Sequence, residues 1–85
     1  MSELLAYGRM AEKHWRQHCP RMVRELEAKG LMTSSLLEAQ ERTIEEMESL
    51  IREFRKQPGM TPQQAHDQAW ELVREKYILL PPENP

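Results

Sequence analysis

Residues 35–57, SLLEAQERTIEEMESLIREFRKQ, set apolar side chains at Leu37, Ile44, Met47, Ile51 and Phe54 among glutamates and arginines. Spacings of seven, three, four and three residues put these side chains on one flank of an α-helix, because a helix turns once every 3.6 residues. Leu36 and Leu50 widen the stripe on one side, and Gln40 is its single polar intrusion. Thr33, Ser34 and Ser35 offer N-terminal caps, and Ser35 with Glu38 has the spacing of a capping box. Glu38 precedes Arg42 and Glu48 precedes Arg52 by four residues, the stabilising order on an exposed face. Arg55 and Lys56 suit the negative end of a helix dipole, and Pro58-Gly59 stops the element. The expected helix covers 34–57.

Downstream, Thr61-Pro62-Gln63-Gln64 reads as a second start signal: Thr61 caps, Pro62 fits the first helical position, and Gln64 completes a capping box. Met60 and Ala65 stand where a hydrophobic staple would close. Ala65, Ala69, Leu72, Val73 and Tyr77 share a face with Trp70 at its margin, predicting a helix over 61–77. Upstream, Leu4, Ala11, Trp15, His18, Met22 and Leu26 draw a stripe through 2–29, with Ser2 as cap and Gly30 where a left-handed C-terminal cap belongs. Pro20 interrupts this segment. A proline inside a helix removes a hydrogen bond and clashes with the preceding turn, at a cost of about 3 kcal/mol. The helix must therefore kink at His18–Pro20 or split, with Pro20 opening a second helix; the kinked continuous helix is the expected form.

After Tyr77 come Ile78-Leu79-Leu80 and then Pro81-Pro82-Glu83-Asn84-Pro85, an ending that no helix can include. Exposed, Ile78–Leu80 would be a docking peptide or a strand added to another chain's sheet. Folded back, it would cover the open end of the helices beside Tyr77 and Trp70, worth about 1.5–3 kcal/mol per buried side chain. The folded-back arrangement is expected. The fold class is thus all-α: a small up-down three-helix bundle, its first helix kinked or split at Pro20, forming one domain over 1–80 with a Pro-rich tail at 81–85.

The composition sets limits. Eighty-five residues make one small domain, whose core supplies only a few kcal/mol of net stability. Cys19 is the single cysteine, so no internal disulfide staples the chain. The net charge is −2, with +2 on residues 1–30 (six bases, four acids) and −4 on residues 31–85 (six bases, ten acids). No apolar run approaches the roughly 20 residues that cross a bilayer. Met1-Ser2-Glu3-Leu4-Leu5 lacks the basic flank and long apolar core of a signal peptide. No membrane association and a cytoplasmic location are expected.

Chemistry-bearing residues are few. His14 and His18, four apart, can point the same way and are the candidate metal ligands, yet Cys19 projects elsewhere and His66 would have to come from another helix. No metal or other cofactor is expected. One aspartate, one cysteine and three scattered glycines provide neither a nucleophile–base pair nor a phosphate loop, so no enzyme is expected. Arg9, Lys13 and Arg16 share a basic face near Trp15, the basis for an alternative reading as a small nucleic-acid-associated regulator. Against it, the helix that would read DNA carries no cation before Arg74. Met10 lies off the main stripe, and methionines are common on partner-binding surfaces. The sequence therefore predicts a non-enzymatic helical protein–protein interaction module, with a partner protein or a second copy as its target. Met10, Arg9, Lys13, Arg16, Ile78, Leu79 and Leu80 are its candidate contact residues.

Overall fold

The computed structural model describes residues 4–83, so the Ser2 cap and tail residues 84–85 lie outside the described residues. The chain is all-helical, with four helices and no strand among the described residues: α1 (Ala6–His18), α2 (Pro20–Ala28), α3 (Met32–Phe54) and α4 (Pro62–Tyr77).

The first segment is split, not kinked. Cys19, at φ −129° and ψ 53°, stands outside both helices, and Pro20 takes the first position of α2. The break costs little. Cys19 N–H still reaches the Trp15 carbonyl at 2.7 Å, Val23 N–H reaches the Cys19 carbonyl at 3.1 Å, and Pro20 has no N–H to lose. The split also turns the second half of the expected stripe. His18 is exposed, whereas Cys19 and Val23 join the core.

Gly30 ends α2 at φ 71°, with Gly30 N–H on the Glu27 carbonyl and Leu31 N–H on the Leu26 carbonyl at 2.7 Å, the paired bonds of a Schellman cap. Leu31 leads directly into α3, which begins at Met32, two residues before the expected start. The Ser35–Glu38 box is not formed. Ser35 N–H bonds the Leu31 carbonyl inside the helix, and burial of Met32 rewards the extra residues. At α4 the Thr61–Gln64 capping box forms as the sequence predicts, with both bonds at 3.1 Å.

The buried face of α3 is rotated from the expected one. Met32, Leu36, Ala39, Gln40, Thr43 and Met47 are buried, while Leu37, Ile44, Ile51 and Phe54 are only half-buried. The apolar arc was wide enough for either centre. The shoulder holding Ala39 and Thr43 lets neighbouring backbones approach, and it carries the one polar group that α1 needs. The Gln40 Oε1 accepts from Leu5 N–H at 2.6 Å and from Gly8 N–H at 3.2 Å, at the start of a helix that has no side-chain cap of its own. Gly8 permits this approach, since a Cβ there would lie 2.7 Å from that oxygen.

Two apolar clusters result. One joins α1, α2 and the start of α3 to Ile78 through Ala11, Trp15, Cys19, Val23, Leu36 and Ala39. The other joins α3 to α4 through Met47, Ala69 and Val73. Tyr7 and Trp70, stacked at 5.5 Å between ring centroids, touch both. Lys76 meets Glu46, and Ala69 and Val73 join Met47, so α4 packs along α3. No described helix is long and apolar enough to cross a membrane.

Candidate functional site

Three regions hold the candidate residues. The first is the outer flank of α3. Leu37, Ile44 and Ile51 stand seven residues apart, each half-buried, and Leu37 and Ile44 belong to neither apolar cluster. Residues one position earlier, Leu36, Thr43 and Leu50, turn toward the interior. Residues four positions later, Glu41, Glu48 and Arg55, are exposed. Beside Ile51 a concavity of about 590 Å³ opens between Glu48, Arg52, Arg55 and Lys56. Half-buried apolar side chains in a row, bordered by charge, suit packing against a partner helix.

The second region is the basic face of α1. Arg9 and Lys13 are exposed and make no ion pair among the described residues, and Met10 beside them is 40% exposed. Arg16 differs. Its guanidinium meets Glu12 at 3.1 Å and Glu27 of α2 at 3.2 Å, and these two carboxylates, Glu12 foremost, raise its pKa. Arg16 thus braces α1 against α2, and two cations remain on that face.

The third region is the seam between α1, α2 and the tail. Ile78 is fully buried, and Leu79 and Leu80 are half-buried against the first cluster. Trp15 Nε1–H donates to the Ile78 carbonyl at 3.1 Å, the His14 Nε2 lies 2.8 Å from the Leu80 carbonyl, and the Cys19 thiol faces the Pro81 carbonyl at 3.6 Å. Glu83 N–H bonds the His18 carbonyl at 2.8 Å. The Glu83 carboxylate then accepts from Arg21 N–H at 2.9 Å and Met22 N–H at 3.0 Å. Those are the N–H groups of the second and third residues of α2, another helix without its own side-chain cap. The Arg21 and Met22 amides hold the Glu83 carboxyl below its ordinary pKa, and burial followed by Glu83 pushes the Cys19 thiol up.

Of the candidate contact residues in the tail, Ile78 is inaccessible, and Leu79 and Leu80 are half-buried against the first cluster. The histidine pair also looks different in three dimensions. The rings of His14 and His18 lie 4.5 Å apart, but the His14 Nε2 that a metal would use faces a carbonyl. No group of three or more His, Cys, Asp or Glu side chains converges among the described residues.

Sequence reasoning missed Gln40 and Glu83 as caps. A faint signal existed for both: Pro20 opens a helix behind a cysteine, which caps poorly, and Gln40 sits on an apolar stripe where a polar group needs a partner. Comparison with known protein families finds no match, and comparisons with curated proteins and with solved structures find none either.

Proposed function

We propose that this chain is a helical protein–protein interaction module without a catalytic role, and that it works through the outer flank of α3. One observation carries the reading: Leu37 and Ile44 continue the line of Ile51 at heptad spacing, yet pack into neither cluster. A row of this kind costs solubility unless something covers it, and its spacing is that of a seam between helices.

A photo-crosslinking residue in place of Ile44 tests this in cells, with one in place of the exposed Ser49 on the far side as control. The expected result is a discrete adduct from position 44 and none from position 49. Equal labelling at both positions, or none at 44, would refute the reading. The alternative, contact with nucleic acid through α1, has less behind it. Arg16 is occupied by Glu12 and Glu27, and Arg9 and Lys13 alone fall short of the several phosphate contacts such binding needs.

A further inference from the structure

We infer that the partner on the α3 flank is a second copy of this chain, paired about a two-fold axis with its α3 running antiparallel. The inference rests on the interaction reading above and adds the occupant and its direction. Area is the first support. The chain exposes 6128 Å², whereas a compact monomer of its 10.1 kDa mass exposes about 5,300 Å². The excess of roughly 800 Å², summed over the whole surface and not confined to this flank, equals what one partner contributes to a protein interface of standard size. The dimensions agree: the molecule measures 49 × 34 × 14 Å, and its radius of gyration of 14.7 Å exceeds the roughly 12 Å of a compact 85-residue domain.

Charge is the second support, and it fixes direction. The line Leu37–Ile44–Ile51 has one free border, because Leu36, Thr43 and Leu50 on the other side face the chain's own interior. The free border reads Glu41, Glu48, Arg55, so its sign reverses along the helix. In a parallel pair each of these charges would face the partner's inner border, already covered by its own α1 and α4. An antiparallel pair brings free border to free border. With Ile44 against Ile51 of the second copy, Glu41 lies beside Arg55 of that copy, and the two-fold axis makes this contact twice. Only Glu48 then meets its own equivalent, near the axis. The concavity between Glu48 and Arg55 receives the incoming apolar side chain.

Charge exchange in the full chain tests the arrangement. Glu41→Arg and Arg55→Glu, each alone, should weaken dimerisation by about tenfold in sedimentation equilibrium, and the double variant should recover most of the loss. The two positions are 14 residues apart on one helix, about 21 Å, so rescue cannot arise within a chain. Ile44→Asp should give a monomer that keeps its helicity, because Ile44 lies outside both clusters. Dimerisation without rescue in the double variant would overturn the antiparallel arrangement. A wild-type monomer at high micromolar concentration would overturn the second copy as occupant. If crosslinking at position 44 then still gave an adduct with a different protein, the interaction reading would stand while this inference fell.

Discussion

Replacing Gln40 by leucine should destabilise the protein, although it exchanges a buried polar side chain for an apolar one of similar size. Gln40 is 5% exposed, and its Oε1 serves two backbone donors at the start of α1. The Gly8 N–H is buried and would be left without a partner, a cost of about 1–3 kcal/mol. The Leu5 N–H is nearer the surface and can turn to water, so its loss adds little. Relief from burying the amide offsets part of the penalty, leaving a net loss of roughly 1–2 kcal/mol. At about 4–8 °C per kcal/mol for a domain of this size, the melting temperature should fall by roughly 5–15 °C in circular dichroism, with a matching drop in urea midpoint. Gln40→Glu keeps an acceptor, places charge at the positive end of the α1 dipole, and should hold near-wild-type stability at neutral pH. Gly8→Ala supplies a check from the other side of the bond. Alanine ordinarily stabilises a helix interior by about 1 kcal/mol over glycine, but here its Cβ would meet Oε1 at 2.7 Å and Leu4 Cδ2 at 2.8 Å. Loss of stability is expected. If Gln40→Leu melted at or above wild type, or Gly8→Ala gained the full helix-propensity benefit, the cap would have no energetic role.

Three further outcomes are expected. Ala69→Leu should cost about 1–3 kcal/mol by forcing α4 from α3, because Ala69 is fully buried against Met47; a melting curve superimposable on wild type would show slack in that contact. Pro20→Ala should change stability by less than about 1 kcal/mol, since Pro20 opens α2 at a position where the N–H that alanine adds has no partner within the helix; a larger gain would show that the alanine chain prefers one continuous helix. The Glu83 carboxyl has a folded-state pKa below its unfolded one, so its contribution is complete above the unfolded value and disappears as pH falls through the folded one. The Trp15 indole N–H resonance, which reports the bond to the Ile78 carbonyl, should therefore shift as the sample is taken from about pH 6 to about pH 3. The same resonance in Glu83→Ala should already be displaced at neutral pH. A wild-type signal that ignores acid would disconnect Glu83 from the tail's attachment.

The local punctuation of the fold was written in the sequence. Gly30 occupies the left-handed position, and Thr61, Pro62 and Gln64 form the cap their spacing implies, because each depends on interactions within a few residues. The face that α3 buries was not legible to the same degree. Leu36 and Leu37, like Leu50 and Ile51, are adjacent apolar pairs, and periodicity cannot choose between neighbouring centres only 100° apart. The small residues Ala39 and Thr43 made the choice, through the approach of other helices. Pro20 marked a break that could have been a bend, and only the competition between Cys19 leaving the helix and a continuous bent one decided it. Contacts between distant segments were the least visible. Gln40 over Gly8 and Glu83 over Arg21 join residues 32 and 62 positions apart, and no local pattern encodes such a meeting.

Capping from a distance also bears on the order in which this chain can assemble. During synthesis the residues of α1 and α2 emerge first, each with an unfinished leading end. The oxygen that completes α1 follows with α3, and the one that completes α2 follows only with the tail. Early helix formation is therefore provisional, and the long separations favour slower closure than local helix contacts would allow. A fusion partner attached close behind Glu83 would pull on α2, more than sixty positions back along the chain, so its length and stiffness become variables in any experiment on the folded protein.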